Sequence, residues 1–258
     1  MIKAASFPEA HAQRYFLADY PAVYLDTYIT NLIADFRNAA DPVHLDGGQA
    51  LFAEYGEGVA LTHAHPVDQW QLYVAGVARL AKKPVVPVVL QYTDAWVPYG
   101  PIEVTKEGFA LLALWPRPND ETYEMPQAAD TIRAHLRGQP HRILLERLEV
   151  AAEDIAAPSE TTLIEEGAIW ARRWRLPAGA TLETPDPSHG GGQFFVPLQG
   201  TVAYEGREYA RWSTVYVGPR DGRIVLRAGA TGAEVLGTQF RPQPSTISKI
   251  VQQGDKES

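Results

Sequence analysis

The chain of 258 residues contains no cysteine. That absence removes disulfide frameworks, zinc ribbons, thiolate nucleophiles and iron–sulfur clusters together, so any metal must sit on His, Asp, Glu or Gln. Positive charge is also in short supply: 23 Lys and Arg against 31 Asp and Glu give a formal charge of −8. Binders of nucleic acid or acidic membrane carry a basic patch or stripe, so small molecules and proteins are the expected partners. Long apolar runs are missing too. No stretch approaches the roughly 20 residues that span a bilayer, and the opening "MIKAASFPEAHAQ" has no apolar centre of the kind a secretory signal carries. A cytoplasmic location is therefore expected. No Gly-x-Ser-x-Gly elbow, Walker-type loop or dinucleotide fingerprint occurs.

What is present is punctuation. Twenty prolines and twenty-one glycines separate short runs such as "QLYVAG", "PVVPVVLQY", "FALLALW", "WARRWRL" and "AEVLGTQF". Many short strands with tight turns point to a sandwich or barrel. Two segments carry helical spacing instead. Leu25, Tyr28, Ile29, Leu32, Ile33 and Phe36 follow Pro21, and "PQAADTIRAHLRG" runs from Pro126 to a stop at Gly138. Both are expected to be helices that cover barrel walls.

The chain also repeats itself. A shift of 124 residues without a gap pairs His65 with His189, Gln69 with Gln193, Gly76 with Gly200, Gly108 with Gly232, Leu112 with Leu236 and Arg117 with Arg241. A unit of this size is a whole β-domain, so two tandem copies are expected. The first is placed at 41–120 and the second at 161–245. An N-terminal helical extension (1–40), a linker with a short helix (121–160) and a tail (246–258) complete the division.

The motif in the first copy reads Gly58, four residues, His63-Ala-His65, three residues, Gln69, six residues, Gly76. It resembles the first motif of the cupins, small jelly-roll β-barrels, with Gln69 where that motif has Glu. Pro98-Tyr99-Gly100 followed by Glu103 resembles the second motif, with Glu103 in the histidine position. In the second copy Pro187, His189, Gln193 and Gly200 look like a worn form of the first motif, and "VYVGPRDGR" a distorted second one. The resemblance implies an all-β bicupin, two tandem jelly-roll barrels with an N-terminal helix and a short linker helix.

For the site, the resemblance implies a divalent transition metal on His63, His65, Gln69 and Glu103, with Fe expected first and Mn, Zn or Ni as others. Residues two apart on a strand face one side, so His63 and His65 share a direction. Asp68 sits one residue out of phase and is expected to cap the turn. Gln71 and Tyr73 share the parity of Gln69 and are candidate substrate contacts, with Tyr73 and Glu103 the candidate catalytic residues. Trp70 is expected on the outside. One imidazole and one amide are too few strong ligands in the second copy, which is expected to be metal-free. The expected activity is that of a metal-dependent cupin enzyme acting on a small organic molecule, such as a non-haem dioxygenase. The alternatives are a non-catalytic small-molecule binder or sensor, and an isomerase or lyase using Glu103 as base. A homodimer is expected from the resemblance and from the general frequency of two-fold dimers.

Overall fold

The computed structural model describes residues 2–17, 23–29, 47–119, 121–150 and 155–243. Two sheets dominate them. The first barrel is a nine-stranded sheet in the order β12 (Ile143–Arg147), β9 (Val89–Thr93), β7 (Gln69–Leu80), β10 (Ile102–Trp115), β4 (Gln49–Tyr55), β3 (Val23–Ile29) and β2 (Tyr15–Leu17). Off that path, β5 (Gly58–Ala60) pairs with β10, and β8 (Lys83–Val85) pairs with β7. The second barrel is an eight-stranded sheet in the order β1 (Ile2–Ala5), β18 (Thr214–Val217), β16 (Gln193–Tyr204), β19 (Val225–Gln239), β14 (Ile169–Leu176) and β13 (Ser159–Glu166). There β15 (Thr181–Glu183) pairs with β19, and β17 (Arg207–Ala210) pairs with β16. A small third sheet joins β6 (His63–Ala64) to β11 (Tyr123–Glu124).

The repeat is visible in the backbone. β7 and β16 are both 12 residues long and begin 124 residues apart, at Gln69 and Gln193. Gly76 and Gly200 occupy the same bend at φ +76° and +68°, and each lies against a second repeat-matched glycine. A Cβ on Gly76 would lie 2.1 Å from the Gly108 carbonyl oxygen, and one on Gly200 would lie 2.0 Å from that of Gly232. Only glycine combines that dihedral with that approach.

The helix expected from Pro21 to Phe36 is not what forms: Val23–Ile29 is a strand, antiparallel to β4. The segment VYLDTYI is rich in β-branched and aromatic residues, and a ready β4 edge outweighs a weak helical spacing. The rest of that expected helix, 21–22 and 30–36, lies outside the described residues. Near the N-terminus a helix forms instead at α1 (Phe7–Ala12), with Pro8 in its first turn. The linker helix is where the sequence placed it, as α2 (Ala129–Leu136). Four segments outside the expected barrel spans join the sheets: β2, β3 and β12 extend the first, and β1 becomes an edge of the second.

Strand alternation divides the core into three layers. Tyr73, Leu111, Ala113 and Trp115 fill the first barrel. Trp174, Phe195, Val215 and Val235 fill the second. The opposite faces of the same strands make a shared layer between the barrels, where Trp70, Leu72, Leu90, Tyr92 and Leu112 meet Phe194, Val196, Tyr216 and Leu236. Trp70 is therefore outside its own barrel yet wholly buried.

At one end of the shared layer sits a charged clamp. Asp68, fully buried, accepts from Arg241 Nε and Nη2, both at 2.7 Å, from the Ala95 amide at 2.8 Å and from Gln243 Nε2 at 2.9 Å. Asp68 thus ties one barrel to the other rather than capping a turn. Beside it Asp94, also buried, accepts from Arg142 Nε at 2.9 Å and Nη2 at 3.1 Å. Removing one partner strands a buried charge. Asp68→Ala is expected to cost about 3–5 kcal/mol in urea denaturation, and a double-mutant cycle with Arg241→Ala is expected to show strong coupling. Equal and additive losses would mean the pair is not a clamp.

Candidate functional site in the first barrel

The sequence singles out His63 and His65, and the fold brings both to one mouth of the first barrel. β6 is short, and His63 forms an antiparallel bridge with Tyr99: the His63 amide donates to the Tyr99 carbonyl at 3.1 Å, and the reverse bond is 3.0 Å. On the other side β11 pairs Glu124 with His63 and Tyr123 with Ala64. The histidine strand is therefore held between the second hairpin and the linker.

Each imidazole has its tautomer fixed by a backbone carbonyl. His63 Nδ1 donates to Leu61 O at 2.7 Å, and His65 Nδ1 donates to Glu121 O at 2.8 Å, the shorter of its two contacts, with Asn119 Nδ2 3.2 Å from the same ring nitrogen. A proton on Nδ1 leaves Nε2 as an acceptor on both rings. The Tyr99 hydroxyl donates to His63 Nε2 at 2.9 Å, and Gln71 Nε2 donates to the same hydroxyl oxygen at 2.9 Å. The Gln71 carbonyl oxygen in turn accepts from the Tyr73 hydroxyl at 2.9 Å and from Gln91 Nε2 at 3.3 Å. Gln91 Nε2 also donates to Thr93 at 2.9 Å. His63, Tyr99, Gln71, Tyr73 and Gln91 thus form one buried chain of neutral hydrogen bonds. His65 Nε2 bonds to nothing among the described residues.

Burial sets the protonation states. It lowers the His63 pKa, outweighing the opposing pull of the Leu61 carbonyl and the Glu124 carboxylate. Burial, then the adjacent His63, lower that of His65 to about 4. Tyr73 is pushed well above its ordinary value by burial, and further by Tyr99 and Tyr55, so it acts as a donor and not as a base.

The predicted residues divide. Gln69, Gln71 and Tyr73 face inward as their parity implies, and all three are buried. Glu103 is not brought to the histidines. Its neighbours Ile102 and Val104 point into the barrel, so Glu103 lies on the other face of β10, across from Arg79 and Val59. Among the described residues no three His, Asp or Glu side chains cluster as metal ligands. The residue that the second motif delivers is Tyr99, from within Pro98-Tyr99-Gly100. The spacing rule counted forward to Glu103, and only the bridge register reveals Tyr99.

The matching region of the second barrel is built differently. His189 sits exposed on a 3-10 turn at Pro187–His189. Gln193 points inward but is tied to Gln239 Oε1 at 2.9 Å. The counterpart of Ala113 is Gly237, and the missing Cβ admits Trp174, whose ring would lie 2.5 Å from that atom. Trp170, Trp174 and Phe195 fill the interior.

His65, with its pKa lowered in the fold, binds its proton more readily in the unfolded chain. It therefore contributes stability above about pH 6.5 that is lost as pH falls toward 4. The His65 Cε1–H NMR signal is expected to titrate near pH 4. The acid loss of stability, followed by urea midpoints, should be smaller in His65→Gln. A signal that titrates near 6.5 would contradict the buried environment.

No family model matches the sequence, and none of the curated proteins compared matches it. Solved structures do match. The bacterial pirin YhhW from Escherichia coli in complex with nickel(II) superposes with a TM-score of 0.58 at 13% identity, over 94% of this chain and 100% of that one. An oxalate decarboxylase gives 0.56 at 13% identity over 95% and 78%. Bacillus subtilis oxalate decarboxylase, in work on its Mn(II) centres, gives 0.54 at 12% identity over 100% and 84%. With two repeat-matched barrels and this likeness along nearly its whole length, the chain has the bicupin fold.

Proposed function

We propose that the protein is a cupin enzyme that moves a proton on a small organic molecule held in the first barrel, with His63 and Tyr99 as its acid–base couple. The observation that carries this reading is the 2.9 Å bond from the Tyr99 hydroxyl to His63 Nε2, set in a buried chain that also fixes Gln71 and Tyr73. In the resting arrangement the phenol holds the proton and the imidazole accepts the bond. A carbon acid seated beside the pair would give its proton to His63 Nε2 as the Tyr99 hydroxyl turns its own proton from that nitrogen to an oxygen or carbon of the same molecule. The His63 imidazolium would then hand its proton to the Tyr99 phenolate across the 2.9 Å bond, restoring both groups. Gln71 is a positioning residue: it donates to the Tyr99 oxygen and so orients its proton toward His63. This is isomerase or lyase chemistry, with His63 and Tyr99 in the part that sequence spacing gave to Glu103.

The residues present do not make the two-histidine, one-carboxylate centre expected for iron. His63 Nε2 is engaged by Tyr99, Glu103 lies on the opposite face of its strand, and Gln69 offers a neutral oxygen. No step here is routed through a metal. Elemental mass spectrometry on untagged protein is expected to find far less than one Fe or Mn per chain. About one metal per chain, lost in His63→Ala and His65→Ala, would replace this reading with a metal-dependent one on His63, His65 and Gln69.

The direct test incubates small keto and hydroxy compounds with the protein in deuterated water and follows carbon-bound hydrogen by NMR. Exchange into at least one compound is expected, and Tyr99→Phe should slow it by about 10²–10⁴-fold while leaving the fold intact. Equal exchange in the wild type, Tyr99→Phe and His63→Gln would remove the couple from the chemistry.

A further inference from the structure

The hydrogen-bond chain leaves a second group of polar atoms in the first barrel unused. Among the described residues, Gln69 Oε1 and Trp115 Nε1 are buried without any hydrogen-bond partner, and His65 Nε2 is free. A bare buried polar atom costs about 1–3 kcal/mol, and such atoms are uncommon enough in folded cores to require a use. These three belong to one neighbourhood. The β7–β10 register pairs Gln71 with Ala113, and two further residues along both strands Gln69 comes opposite Trp115. The Trp115 ring lies 5.9 Å from that of His65. The amide oxygen and the imidazole nitrogen accept, whereas the indole N–H donates. The inward residues around them include Gln49, Leu51, Gln71, Gln91, Thr93 and Ala113, none of them charged.

We propose that the first barrel recognises its small molecule through an uncharged carboxamide group. The two N–H donors of a primary amide match Gln69 Oε1 and His65 Nε2, and its carbonyl matches Trp115 Nε1. A carboxylate offers no donor and would set its charge against the two acceptors. This inference rests on reading the first barrel as a small-molecule site and goes beyond it by naming the chemical group bound.

The test uses matched probes, benzamide against benzoate and lactamide against lactate, at millimolar concentration with the full-length protein. The Trp115 indole N–H, assigned in ¹H–¹⁵N spectra by its loss in Trp115→Phe, is the reporter. Saturable movement of this signal with the amides and not with the acids is expected. Gln69→Leu should weaken the amide response at least tenfold, with a dispersed backbone spectrum showing that the variant folds. A saturable response to the acids alone, lost in Arg117→Gln beside the Pro66 carbonyl, would overturn the carboxamide assignment and leave a small-molecule site. No response to either class would overturn both the assignment and the site.

Discussion

From Gln69 to Val74 and from Phe109 to Trp115 the central strands of the first barrel have no solvent face, and most other features follow from that constraint. β7 and β10 must bury one row of side chains inside the first barrel and the other against the second barrel. β16 and β19 carry the same obligation in reverse. A slip of one residue in β7 would drive Trp70 into the barrel and Gln69 into the shared layer. The polar row Gln69, Gln71 and Tyr73 is held inward because Trp70, Leu72 and Val74 are held outward by the neighbouring barrel. The scaffold aims the site by packing on its far side.

The two repeat-matched halves have contrasting interiors. The first keeps a row of amides, phenols and imidazoles linked by directional hydrogen bonds. The second has exchanged that row for indole and phenyl rings, with Gly237 making room for Trp174. Its Arg241 reaches across to the buried Asp68, three residues from His65, and fixes the turn that follows the histidines.

Much of this was legible in the sequence, for physical reasons that differ from residue to residue. The 124-residue repeat was readable because Gly76, Gly200 and Gly232 sit in backbone contacts that leave no room for a Cβ, and Gly108 holds a positive φ of 72°. The inward parity of Gln69, Gln71 and Tyr73 was readable because a strand has a period of two. Glu103 was misplaced because motif spacing counts residues, whereas the position facing His63 is set by the bridge to Tyr99. The segment Val23–Ile29 was read as a helix because apolar spacing reports a periodicity without reporting the β4 edge waiting beside it. Asp68 was read as a turn residue because its partner lies 173 residues away, beyond any local pattern.

The N-terminal strand carries a consequence for how the chain comes together. Ile2–Ala5 pairs with Thr214–Val217, and the Phe7 amide donates to Ser213 Oγ across 206 residues of sequence. Tyr15–Leu17, only a few residues on, belongs to the other barrel. On the ribosome the first strand therefore emerges long before its partner exists, while the strands that follow it can already assemble. Contacts of such separation are slow to close. Through Ile2–Ala5 in one sheet and Tyr15–Leu17 in the other, this segment fastens the two barrels a second time, far in sequence from the linker.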